Sequence, residues 1–299
     1  MKQSNKYREG YMELKTQILE MIRLSSTNLS TDVEKAIIDA AAKEDEGSPA
    51  KNAFNTIIEN IKLARQQSTP ICQDTGALIF YVDYKAGGEE KVYIEAIQEA
   101  VKAATTKQYL RPNAVDPVTG KNSGNNTGTN APYIHFHQWD KDYTRIRFMQ
   151  KGGGCENCGT QYRLPDITLG AGRDLKGVRK CIIDAVYNAQ GQGCAPGIIG
   201  IGIGGDRALS HILAKEQLFR KMGERNIDPE IAALEENVLK DINKLGIGPM
   251  GFGGKTTALE VFIGYQHRHP ATFYVSIAYM CWANRRKMMT IKDGEVTYA

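Results

Sequence analysis

The sequence predicts an α/β protein, with α+β as the nearest alternative, folded as one large domain with a helical N-terminal section and a mixed sheet. Three observations carry this expectation. Apolar residues recur at helical spacing through the first 67 residues. From residue 77 onward, short runs rich in Ile, Val, Phe and Tyr alternate with helical segments. No linker or internal repeat divides the chain, so 1–288 reads as one domain and 289–299 as a C-terminal hairpin.

Each element has its own signal. Leu14, Ile18, Met21 and Ile22 mark a first helix, and STDVEKAIIDAAAKEDE opens a second with a cap-like Ser-Thr-Asp. NAFNTIIENIKLARQQ continues the helical pattern, ALIFYVDY reads as a strand, and EKVYIEAIQEAVKAATTKQ returns to helix. Residues 111–131, RPNAVDPVTGKNSGNNTGTNA, gather turn formers over a length that an idle connection does not need, so a binding loop is expected. Strands follow at PYIHFHQW and at YTRIRFMQ, which runs into KGGG. A helix over 174–190, a buried strand over 197–205 and helices over 206–222 and 229–244 come next. ALEVFIGY and ATFYVSIAYM are strands, and Asp293-Gly294 is a favoured hairpin turn.

Composition narrows the function. Hydrophobic residues make up 41% and charged residues 24% of 299, and the net charge is only +4. No basic run exceeds NRRK, which argues against nucleic-acid or membrane-surface binding as the main role. The polar N-terminus lacks a signal-peptide core, and no stretch approaches the roughly 20 apolar residues of a membrane span. A cytoplasmic protein is expected. In that compartment the six cysteines, Cys72, Cys155, Cys158, Cys181, Cys194 and Cys281, are not a disulfide framework.

Several motifs carry chemistry only weakly. GFGGKTTAL at 251–259 has Pro249 where a nucleotide-binding P-loop needs its first glycine. Its glycines suit amides approaching an anion, with Lys255 adding charge. GIGIGG at 200–205 has Arg207 where a dinucleotide motif needs glycine, though its glycines after an apolar strand suit a helix start facing an anion. CENC at 155–158 is a single C-x-x-C without the second pair of a zinc ribbon, and TQYRLP with Pro165 makes a redox helix there doubtful. His135, His137, His267 and His269 read as strand or turn positions.

The stretch PICQDTG is different, because it places Cys72, Gln73, Asp74, Thr75 and Gly76 in one short loop. Cys194 in GQGCAPGIIG and Cys281 in AYMCWANRR share its setting beside an apolar strand. Thiolates gathered from distant loops suit iron–sulfur coordination, and three ligands would leave one iron open. The bland alternative is buried cysteine as a small hydrophobe.

PICQDTG, LRPN with its Asn/Gly-rich loop, KGGG, GCAPGIIGIGIGG, GFGGKTTAL and CWANRR together resemble the α subunit of the class I, iron–sulfur-dependent fumarate hydratase/L(+)-tartrate dehydratase family. The resemblance runs in order over about residues 10–288. It implies a hydro-lyase that adds or removes water across a carbon–carbon double bond of a small dicarboxylate, fumarate to (S)-malate or else an L(+)-tartrate-type substrate. It implies a 4Fe–4S cluster on Cys72, Cys194 and Cys281, with Gln73, Asp74, Arg111 and Gly154 touching substrate and Asp74 exchanging the proton. Cys155 stands where relatives often carry serine. Single-chain members continue into a further domain with more substrate-binding cations, so a separate β subunit is expected here, in an α2β2 assembly. A non-catalytic metal-binding protein is the alternative from another class.

Overall fold

The computed structural model describes residues 2–299, with side chains from residue 12 onward. The mixed α/β character is as expected, and the chain forms two compact units that interleave in sequence. One comprises Met1–Ser30, Asn60–Gly152 and Asn284–Ala299; the other comprises Thr31–Glu59 and Gly153–Ala283. Each unit contains segments distant in the chain, and for that reason no linker marks a boundary between them.

The first unit holds helix α1 (Lys2–Thr27), the end of α3 (Pro49–Gln67), strand β1 (Ala77–Lys85) and helix α4 (Glu90–Thr106). Strands β2 (Tyr133–Trp139), β3 (Thr144–Lys151), β8 (Arg285–Lys292) and β9 (Glu295–Tyr298) complete it. Its sheet runs β2-β1-β3-β8-β9, parallel only between β1 and β2. Alternate residues of β1, from Leu78 through Phe80 and Val82 to Tyr84, join Ile18, Met21 and Ile22 of α1 and Ile97 and Val101 of α4 in one apolar core. Phe80 stacks on Phe148 of β3 with ring centroids 4.4 Å apart. The tail is a hairpin turning at Asp293 and Gly294, both at positive φ, and β8 is a full strand of the sheet.

The second unit contains α2 (Thr31–Ala41), a short helix α5 (Gly153–Asn157), strand β4 (Thr160–Arg163), α6 (Leu175–Ala189), β5 (Gly197–Gly204), α7 (Arg207–Gln217), α8 (Pro229–Asn243), β6 (Ala258–Gln266) and β7 (Tyr274–Met280). Its sheet runs β4-β7-β5-β6, parallel between β5 and β6 and antiparallel elsewhere. The sequence GIIGIGIG of β5 separates two faces. Ile199, Ile201 and Ile203 enter a core with Val178, Ile182 and Val186 of α6 and Val238 and Ile242 of α8. On the other face, a Cβ at Gly200 would lie 2.2 Å from the Ala214 carbonyl oxygen, and one at Gly202 would lie 2.1 Å from that of Ser210. The glycines therefore let the backbone of α7 approach the strand. Ser210 Oγ donates to the Gly202 carbonyl at 3.0 Å, closing the contact.

These contacts settle the two glycine motifs. The α7 start, read as a possible anion site, is capped from within: Asp206 accepts from the Leu209 amide at 2.7 Å. The GFGGKTTAL segment does present amides to an anion, just after its glycines, and that anion is Glu44, buried, accepting from Lys255 N at 2.9 Å and Thr256 N at 3.0 Å. Lys255 Nζ pairs with Asp45. The C-x-x-C segment does not head a helix, as TQYRLP suggested: the five-residue helix Gly153–Asn157 ends before Cys158, and strand β4 follows directly.

Candidate active site

In the first unit, the PICQDTG loop enters β1 and is braced against the start of the 111–131 segment. Gly76 sits at φ +73, and a Cβ there would lie 2.5 Å from the Lys151 backbone, so no other residue fits this turn. Asp74 Oδ1 accepts from the Gly76 amide at 2.8 Å and from Asn113 Nδ2 at 3.0 Å. The Thr75 hydroxyl donates to the Arg111 carbonyl at 2.9 Å and accepts from the Arg111 amide at 2.7 Å. One hydroxyl thus fixes both polar backbone groups of Arg111. Asn126, buried and at φ +62, accepts from the Asn113 amide at 2.6 Å and donates to the Arg111 carbonyl at 3.0 Å.

The outcome is a rigid frame with accessible tips. Gln73 and Arg111 are exposed, while Cys72 and Asp74 are half-buried. The Arg111 guanidinium makes no ion pair among the described residues, which leaves its planar fork available to a carboxylate. The long polar segment is a folded loop with a bridge between Val115 and Asn122, as its turn residues suggested.

In the second unit, β5 and β7 bring Cys194 and Cys281 to one end of the sheet. Ile198 pairs with Met280, and the Trp282 amide donates to the Cys194 carbonyl at 3.3 Å. Cys194 adopts φ +54, a left-handed conformation that costs a non-glycine residue about 1–2 kcal/mol. Gly193 and Gly197 make room for Tyr279: a Cβ on either would lie 2.3 Å and 2.6 Å from its ring. Cys155 Sγ donates to the Gly193 carbonyl at 3.6 Å, so its thiol abuts the turn that carries Cys194. Gly154, beside it, is exposed.

Tyr279 is the residue that sequence reading missed. It is 1% exposed, and its phenol is held protonated well above the ordinary range, first by burial and then by the nearby thiols of Cys155, Cys158, Cys281 and Cys194. Four of the six cysteines thus lie near enough to one phenol to act on its ionisation. Its only sequence signal is a bulky residue two positions before Cys281 on a strand. Cys181 lies elsewhere, in the apolar core, its thiol pushed up to about 12 by burial and by Asp166 and Asp184. A thiol so disfavoured from ionising is a poor metal ligand. No disulfide joins the described cysteines, and no three described His, Cys, Asp or Glu side chains converge to hold a single metal ion. Among the described residues no helix is long and apolar enough to cross a membrane.

A protein-family model described as Fumarate hydratase (Fumerase) matches residues 15–290. A Geobacillus stearothermophilus protein assigned as a class I fumarate hydratase is 50% identical over 270 residues, which is 89% of this chain and 52% of that one. The chain therefore spans about half the length of that relative. A Methanocaldococcus jannaschii protein assigned as an L(+)-tartrate dehydratase subunit alpha is 39% identical over 94% of this chain and 98% of its own. The Escherichia coli L(+)-tartrate dehydratase subunit alpha is 30% identical over 97% of this chain and 94% of its own. On a match that covers both compact units, the chain belongs to the fumarate hydratase family.

Proposed function

We propose that this chain is the α-type half of a cytoplasmic iron–sulfur hydro-lyase that interconverts fumarate and (S)-malate. The thiolates of Cys72, Cys194 and Cys281 hold a 4Fe–4S cluster, and a β subunit supplies the remaining substrate contacts in an α2β2 assembly. The donor chemistry fits such a group: the three thiols stand at loop or strand ends, and Cys181, the core thiol, is excluded by its resistance to ionisation. A bound cluster with one iron lacking a protein ligand supplies a Lewis acid for the substrate's oxygen atoms.

The chain's own residues do the rest. Arg111, its backbone clamped by Thr75, presents a guanidinium for bidentate contact with one carboxylate. Gln73, exposed on the adjoining loop, offers an amide to the same substrate. Asp74 is oriented by Gly76 and Asn113, so its carboxylate has one fixed direction from which to exchange a proton with the carbon next to a carboxylate. Gly154 has no side chain to bar a substrate from its backbone. The observation that carries the proposal is the reciprocal Thr75–Arg111 clamp, which sets the proton-exchanging loop and the carboxylate-binding loop side by side.

The near full-length relatives named as tartrate dehydratase subunits favour a second reading, L(+)-tartrate as substrate. The test is anaerobic reconstitution with iron, sulfide and the candidate β subunit, followed by assay on malate, fumarate and L(+)-tartrate. A brown complex turning over malate and fumarate is expected. Turnover of tartrate alone establishes the second reading. A colourless protein without turnover on any of the three overturns both.

A further inference from the structure

Arg285 is a buried cation whose charge no described residue neutralises. It opens β8, is 2% exposed, and ranks among the largest fully buried side chains. Its Nη1 donates to Gln150 Oε1 at 3.1 Å, a neutral acceptor across the β3–β8 pair. Its Nε is buried with no acceptor, and no carboxylate among the described residues pairs with it. A guanidinium stays protonated at any physiological pH. Burying it beside only an amide leaves a desolvation cost that folding does not recover.

The surroundings tie this cation to the Cys72 loop. Gln150 Nε2 donates to Ser26 Oγ at 2.6 Å, and the Ser26 carbonyl accepts from the Ile71 amide at 2.9 Å. A continuous chain of contacts therefore runs from Arg285 through Gln150 and Ser26 to the residue before Cys72. Ser25, fully buried beside it in sequence, also carries a hydroxyl oxygen without a partner. Two orphaned polar atoms along one short network mark a place prepared for something the polypeptide lacks.

We infer that Arg285 is the counter-cation of an anionic group bound by the unit that carries Cys72. This rests on the function proposed above and adds to it a residue that the substrate and ligand assignments leave out. Two sources share the required chemistry: the thiolate-held iron–sulfur group, whose net charge is negative, and a carboxylate of the substrate. A cation beside the former raises its reduction potential and favours its retention. Beside the latter it strengthens binding of dicarboxylates.

The experiment compares wild type with Arg285→Gln, Arg285→Lys and Gln150→Glu in the full chain with its β subunit. It reads iron and sulfide per chain, the reduction potential, and succinate affinity by equilibrium dialysis. If the anion is the cluster, Arg285→Gln loses iron at least threefold faster and has a lower potential, while Arg285→Lys stays near wild type. If it is the substrate, iron content holds and succinate binds at least tenfold more weakly. Gln150→Glu guards against a variant that fails to fold. Its new carboxylate pairs with Arg285, so the metal-free protein melts several degrees higher while affinity for the external anion falls. Iron retention, potential and succinate affinity all unchanged in Arg285→Gln would overturn the inference. A wild-type protein that takes up no iron sinks the iron–sulfur proposal instead, and succinate affinity alone then decides the role of Arg285.

Discussion

The loop bearing Cys72 and the turn bearing Cys194 are held by opposite means. Around Cys72 the work is done by polar side chains: Asp74, Thr75 and Asn126 bond to backbone groups that would otherwise be unsatisfied, and Asn113 holds the Asp74 carboxylate. Around Cys194 and Cys281 it is done by the absence of side chains. Gly193 and Gly197 yield space to the Tyr279 ring, while Gly200 and Gly202 yield it to α7. A hydrogen-bonded frame loses its members one at a time. A close-packed frame has no partial state, because backbone atoms cannot step aside.

The contrast can be broken at several points. Gly202→Ala is the severest, since its methyl would meet a backbone oxygen at 2.1 Å. A loss of about 3 kcal/mol is expected, read as a lower urea midpoint. An unchanged midpoint would show that α7 can retreat. Thr75→Val leaves the Arg111 amide and carbonyl without their hydroxyl. It should lose about 2 kcal/mol, and dicarboxylate affinity should fall further than in a surface control. Stability equal to wild type there would mean that the clamp is not what fixes the loop.

Glu44→Gln sharpens the comparison by weakening a polar brace inside the close-packed unit. It removes the charge from bonds to Lys255 N and Thr256 N, for an expected loss of about 1 kcal/mol in chemical denaturation. A loss as large as that of Gly202→Ala would erase the distinction. The smallest effect at neutral pH concerns Cys181, whose thiol in the folded state lies at about 12 against an ordinary 9.0. The raised value means that its stabilisation is complete below pH 9 and drains away as pH rises from 9 towards 12. Cys181→Ala should flatten the decline of stability across that window, and an identical slope in the variant would count against the assignment.

The sequence disclosed most strands and helices because their periodicities are local properties. It also isolated the Cys72 loop, where five chemically dense residues are contiguous. What it hid depends on partners far along the chain. The anion held by the Lys255 and Thr256 amides is Glu44, some 210 positions earlier, and nothing near Lys255 announces it. The glycine face of β5 invites a ligand reading until α7 is seen against it. The short helix around Cys155 has too few residues to show a period, and Tyr279 looks like any aromatic on a strand. The division into two units is invisible because each is stitched from separate segments.

That stitching has a consequence for how the protein is made. In the order β2-β1-β3-β8-β9, strand β3 gains its second neighbour only when residues 285–292 emerge from the ribosome. Until then β3 is a growing polypeptide's open edge, with unpaired amides and the apolar Ile146 and Phe148 beside it. All the strands of the other sheet, by contrast, have been synthesised by residue 280. The first unit therefore begins earliest and finishes last. Its exposed edge, waiting through more than 130 residues of translation, is where a chaperone would engage the nascent chain and where premature release would lead to aggregation.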